Sequence, residues 1–267
     1  MKAAILSILS IVLVVVLIIG NIHWNIRGDS PLSPIHDTHD STVSQEKSSN
    51  SESYFSLDYY MGFAKSWPEQ AQQVLEAKLS DKKVFHILLV GSDAIGDQES
   101  GLLPPLKEAL ASKYDQYVTI DSIAYDGTTS DYVDDEEYES LIDKKPDMVI
   151  FEPFLLHDNN VVNISTTLTN INTVIKETTD SLPDVTFVLM PAHPLYDASL
   201  YPMQVSDLEK YAEAEEIPYW NHWEAWPNRQ DEKVKDYYKE LDGDKSIANE
   251  QGFEVWSDYL ADKLISQ

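Results

Sequence analysis

The chain has 267 residues, 43% of them hydrophobic, which is enough for a core and excludes wholesale disorder. Its 46 acidic residues against 19 basic ones give a net charge of −27, which repels phosphate backbones and excludes nucleic acid as a natural partner. There is no cysteine, so disulfides, thiolate catalysis and cysteine-type zinc sites are all excluded.

In chain order, the first element is residues 3–20, an apolar run free of charge and interrupted only by Ser7 and Ser10. Its length just suffices to cross a bilayer core as a helix. Gly20-Asn-Ile-His-Trp24 is a poor match to a small-residue cleavage site, so residues 1–27 read as an uncleaved signal anchor. Lys2 and the amino terminus lie on one side and Arg27 on the other, and the signal-like position favours the amino terminus in the cytoplasm and the bulk outside a bacterial cell membrane, crossed once. Residues 28–53 carry eight serines, two prolines and no periodicity, and read as a flexible polar tether. The Arg27-Gly28-Asp29 tripeptide is read as part of that linker.

The folded domain is expected over 54–267. Ser66-Trp-Pro-Glu69 has the pattern of a capping box opening a helix that runs to about Leu79. Val84-Phe-His-Ile-Leu-Leu-Val90 follows as a continuous apolar run, expected for a parallel strand buried on both faces. Further strands are predicted at 117–124, 147–152, 185–190 and, weakly, 217–221. Helical spacing recurs at 102–114, 136–144, 165–180, 205–216, 231–241 and 249–265. Five strands alternating with helices predict an α/β fold with a doubly wound parallel sheet.

In such a sheet the site lies beyond the carboxyl ends of the strands. Those segments hold Ser92 and Asp93, Asp126 and Gly127, His157-Asp-Asn159, His193, and finally His222, Glu224 and Trp226. Three of the seven histidines therefore fall on one predicted rim. Trp220, Trp223 and Trp226 are open to two readings, a platform for sugar rings or packing. No Asp-x-Asp-x-Asp-Gly loop occurs, so no calcium site is expected, and neither a metal nor a cofactor is implied.

The order of these segments resembles the SGNH/GDSL hydrolase family. Leu88-Leu-Val-Gly-Ser-Asp93 stands where that family has its nucleophile block, and Asp126-Gly127-Thr-Thr fits its second block. Leu155-Leu-His-Asp-Asn159 fits the third, and Asp244-Lys-Ser-Ile-Ala-Asn-Glu-Gln-Gly252 the last. The resemblance spans roughly 84–264. It implies a flavodoxin-like five-stranded sheet and hydrolysis of esters through a serine, a histidine and an oxyanion hole. Carried over position by position, it puts Asp93 at the nucleophile, His157 at the oxyanion asparagine, Asp244 at the acid and Ile247 at the histidine. Gly127 and Asn159 are the oxyanion candidates.

An isoleucine cannot take a proton from a serine hydroxyl. Three routes stay open. Ser92 could attack with the turn shifted by one residue, His157 or His193 could supply the base, or Asp93 and Asp244 could work as a carboxylate pair. The expected function is a membrane-anchored extracellular ester hydrolase acting on acyl groups of cell-envelope or polysaccharide substrates. The alternative is a catalytically silent relative that binds glycan or assists envelope polymer assembly.

Overall fold

The structure is a computed structural model that describes residues 56–240 and 246–267. The anchor at 1–27, the tether at 28–53 and Asp244 lie outside the described residues. Among the described residues no helix is long and apolar enough to cross a membrane.

The apolar runs become four parallel strands: β1 (Phe85–Ser92), β2 (Val118–Tyr125), β3 (Met148–Phe151) and β4 (Thr186–Leu189), in the order β2-β1-β3-β4. Registers such as Leu89↔Ile150 and Ile150↔Val188 hold the central strands together. Alternation along β1 sends Phe85, Ile87 and Leu89 into one core layer and Leu88 and Val90 into the other. Both faces are therefore covered, which is why these strands read as unbroken apolar runs.

The first layer is covered by α1 (Leu57–Phe63), α2 (Glu69–Ser80), α3 (Leu103–Tyr114) and, at the chain end, α9 (Glu250–Leu264). Spacing shows why: α3 buries Leu103, Leu106, Leu110 and Tyr114 along one stripe. The second layer is covered by the short α4 (Thr129–Asp134), α5 (Tyr138–Lys144) and α6 (Leu155–Asp158), then by α7 (Ile164–Ser181) and α8 (Tyr201–Ala214). The start of α7 is capped by Asn163, whose side chain accepts from the Thr166 N–H at 3.0 Å.

Three expectations are corrected. The fifth strand is reduced to one parallel bridge, Leu189↔Tyr219, with Trp220 N–H donating to the Leu189 carbonyl at 2.8 Å. The chain turns away there because Trp220, His222 and Trp226 are drawn into the first layer rather than along the sheet edge. The helix expected at 231–241 is instead a 3-10 segment, Glu232–Tyr237, followed by β5 (Tyr238–Glu240), which pairs antiparallel with β6 (Ser246–Ala248). The capping box at Ser66 does not form. Trp67 is buried with its indole donating to the Leu264 carbonyl at 2.9 Å, Ser66 meets Ser266, and Pro68 takes the cap position of α2.

Candidate active site

The carboxyl ends of β1, β3 and β4 meet the β5–β6 hairpin at one rim. Ser92 closes β1 and is fully buried. Its backbone N–H and its hydroxyl both donate to Glu152 Oε2, at 2.7 and 2.6 Å. Glu152 follows β3 and is itself wholly buried, so burial raises its pKa, while the bonds from Ser92 work the other way. Its Oε1 has no partner among the described residues. The Ser92 hydroxyl is thus committed to a carboxyl group, not to a histidine. Glu152 was missed in the sequence, although an acid directly after an apolar strand, in Phe151-Glu-Pro153, was a signal available to find it.

Asp93 opens the 3-10 turn Asp93–Ile95, with its side chain partly exposed. Its Oδ1 lies 2.8 Å from His157 Nε2. The other ring nitrogen, Nδ1, is 3.7 Å from Asp126 Oδ1, at the end of β2. His157 is aimed by an unusual turn: Phe154 caps α6 in the left-handed region at φ 57°. That conformation costs a bulky residue about 1–3 kcal/mol. It is held by the packing of Phe154 against Tyr125, Tyr132 and Phe151.

Asp93, Asp126 and His157 each present a donor atom, and these lie within 4.8 Å of one another. A divalent cation fits such a donor set, but the Asp93–His157 hydrogen bond already accounts for the closest of these approaches.

Asp158, next in the chain, plays no part at the rim surface. It is buried, accepting from the Thr129 N–H at 2.9 Å, from the Thr129 hydroxyl at 2.6 Å and from the Thr167 hydroxyl. Asn159, an oxyanion candidate, ends α6, and its Oδ1 is buried without a partner among the described residues. Gly127, the other, is required by close approach, since a Cβ there would lie 2.4 Å from the Tyr125 ring.

His193 follows β4 and is fully buried against Trp226 and Tyr238, with ring centroids at 6.3 and 5.8 Å. Its Nε2 is 3.0 Å from Ser246 Oγ on β6, and its Nδ1 has no partner among the described residues. Burial lowers its pKa to about 4, against a smaller opposing pull from Asp93.

His222 belongs to the core instead. Its Nε2–H donates to the Pro191 carbonyl at 2.9 Å, and its Nδ1 accepts from Trp226 Nε1 at 2.8 Å. Its ring stacks on Trp256 at 4.1 Å, and burial lowers its pKa to about 3. Trp220 and Trp226 are likewise buried, so packing is their role, and Glu224 points to solvent.

Ile247 sits at the centre of β6 and lines a cavity of about 760 Å³ beside Pro104, Phe253 and Glu254. Asn249 and Gly252 of the last motif have structural duties. Asn249 caps α9, accepting from the Gly252 N–H at 3.2 Å and donating to the Asp236 carbonyl at 2.7 Å. A Cβ on Gly252 would come within 2.1 Å of the Tyr237 carbonyl.

No family model matches the chain, and no curated protein matches its sequence. Solved structures do. A protein of Parabacteroides merdae named for its likeness to GDSL lipases is 13% identical, with a TM-score of 0.54 over 67% of this chain and 95% of that one. A GDSL-like lipase from Bacteroides thetaiotaomicron is 13% identical, TM-score 0.50, over 73% and 98%. A lipase/acylhydrolase from Enterococcus faecalis is 18% identical, TM-score 0.50, over 68% and 95%. The fold is therefore of the SGNH/GDSL-hydrolase type. At the rim of that fold this chain carries an Asp93–His157 dyad and a Ser246–His193 pair.

Proposed function

We propose that the protein is an ester hydrolase of the SGNH/GDSL type, held at a bacterial cell membrane by residues 1–27 with its domain outside the cell. Its substrates are acyl esters on cell-envelope or secreted polysaccharide. The observation that carries this reading is the rim itself: two histidines, 157 and 193, each stand within hydrogen-bond distance of a side-chain oxygen at the carboxyl ends of the strands. A base touching an oxygen is the minimum equipment for acyl transfer. The apolar anchor and polar tether support the placement, and the acidic surface is consistent with it.

A second reading rests on a specific observation. Ile247 replaces the family base and the Ser92 hydroxyl is tied to Glu152, so the rim would serve as a binding cleft without turnover. The full chain in detergent, offered acetyl and short-acyl esters of phenols and sugars, separates the two. Turnover above the buffer rate is expected. Absence of turnover across the panel, together with saturable binding of an acetylated glycan, would establish the second reading in its place. Protease added to intact cells should cleave the domain from the outside, and full protection would overturn the proposed orientation.

A further inference from the structure

Ser246 stands inside the last motif, one residue before Ile247, at a position to which the resemblance gives no role, yet its hydroxyl meets an imidazole. Taking the ester-hydrolase reading as its basis, we propose that Ser246 is the nucleophile and His193 its general base, forming an active pair at positions other than those where the resemblance puts the nucleophile and the histidine.

The geometry has three parts. Ser246 Oγ and His193 Nε2 are 3.0 Å apart, the distance at which a hydroxyl proton passes to a ring nitrogen. Ser246 begins β6 and is half-buried, so an ester can approach from solvent, whereas Ser92 is fully buried and already donates to Glu152. The imidazole packs against the rings of Trp226 and Tyr238, which limits its rotation. Burial keeps the imidazole neutral and opposes the imidazolium, and the charge of Asp93 offsets part of that opposition. A buried imidazole is neutral at neutral pH and so able to accept a proton. Asp93, at the start of the 3-10 turn against which β6 packs, pulls toward the imidazolium that forms. Asp93 thus acts through space as a positioning charge, in the part of the rim where the family keeps its nucleophile.

The chemistry balances. Ser246 Oγ bonds to the ester carbonyl carbon as its proton moves to His193 Nε2. The carbon–oxygen bond to the alcohol breaks, and the alcohol leaves with that proton. Water then attacks the acyl-serine carbonyl and gives a proton to Nε2. The acyl–Oγ bond breaks, and Oγ recovers the proton. One ester and one water become one acid and one alcohol.

The test treats the full chain in detergent with a fluorophosphonate and maps the adduct by mass spectrometry, with turnover measured in parallel. The expected result is an adduct on Ser246, and a loss of roughly a thousandfold in turnover for Ser246→Ala and for His193→Gln. Turnover with the adduct elsewhere, or with Ser246→Ala at the wild-type rate, overturns the Ser246 assignment and leaves the ester-hydrolase reading standing. An adduct on Ser246 without turnover of any ester supports the pair and overturns the substrate class instead. Neither turnover nor adduct overturns both.

A second variant does not depend on substrate. The chain has no cysteine, so Ser246→Cys introduces its sole thiol. A thiol beside an imidazole ionises early, so the pH midpoint for alkylation by iodoacetamide should fall by roughly 1–2 pH units below that of the exposed control Ser112→Cys. Adding His193→Gln should restore the control value. Equal midpoints in Ser246→Cys and the control would show that His193 does not act on residue 246 and would overturn the pair.

Discussion

Two corners of the same rim use the same chemistry to opposite ends. At the β1–β3 corner, the Ser92 hydroxyl and both Asp158 carboxylate oxygens are bonded inward, while Glu152 Oε1 lacks a partner among the described residues. Ser92 donates twice to Glu152, and Asp158 accepts three times from Thr129 and Thr167. At the β4–β6 corner, the Ser246 hydroxyl lies 3.0 Å from His193 Nε2, and the other ring nitrogen has no partner among the described residues. The first corner is a polar network that fixes the backbone. The second holds a polar pair whose bonding capacity is not exhausted. Buried groups that spend all their hydrogen bonds on one another stabilise a fold, and groups that retain capacity are the ones available to a substrate.

The largest test of that contrast is Asp158→Ala. It would leave the Thr129 N–H and hydroxyl without an acceptor and the Thr167 hydroxyl with only the Asn163 carbonyl at 3.4 Å, at a cost of about 4 kcal/mol. For a domain of this size that lowers Tm by roughly 8–16 °C, measured by thermal unfolding followed by circular dichroism. A loss under ~1 kcal/mol would show that the network is not what fixes the first corner.

The second test uses pH. His222 and His193 have pKa values lowered by burial to about 3 and about 4, below the ordinary 6.5 of a histidine. Groups depressed in the folded state contribute stability above the unfolded pKa and lose it as pH falls toward the folded value. Their contribution should therefore decline between pH 6.5 and 4, by several kcal/mol at most. Glu152, raised by burial, runs the other way: its contribution is complete at low pH and is lost as pH rises through its folded value. Comparing wild type with His222→Phe isolates the histidine part. The stability advantage of wild type over His222→Phe should shrink as pH falls from 7 to 4 in urea titrations. A constant gap would mean that His222 is not held neutral by burial.

The smallest effect belongs to the second corner. Ser246→Ala removes one hydrogen bond from a half-buried side chain and should cost only about 1 kcal/mol. If it proves as damaging as Asp158→Ala, the hairpin corner is as firmly built as the strand corner, and the contrast disappears.

Much of this fold was legible in the residues. Leu88-Leu-Val90 and Val149-Ile-Phe151 declared strands buried on both faces, and the stripe Leu103, Leu106, Leu110 declared the helix between β1 and β2. The rim was legible as a place: Asp93, His157 and His193 were selected from their positions after strands, and the structure sets Asp93 against His157. What the residues did not show was the hairpin. Segment 231–241 has helical spacing, but Asn249 bonding to the Asp236 carbonyl and the close approach at Gly252 pull it into an extended pair. Ser246 was in view within the last motif, but its meeting with His193 depends on that hairpin and could not be read for the same reason.

The sequence by itself determined the layers of this protein: which runs are strands, which stripes are buried, and which residues stand at strand ends. Those are properties of neighbours two to four residues apart, and local periodicity records them. Only the tertiary structure decided the partners. Ser92 and Glu152 are 60 residues apart, Asp93 and His157 are 64 apart, and His193 and Ser246 are 53 apart. Such pairs are set by strand order and by how the β5–β6 hairpin packs on the rim, and no short window of sequence contains that information.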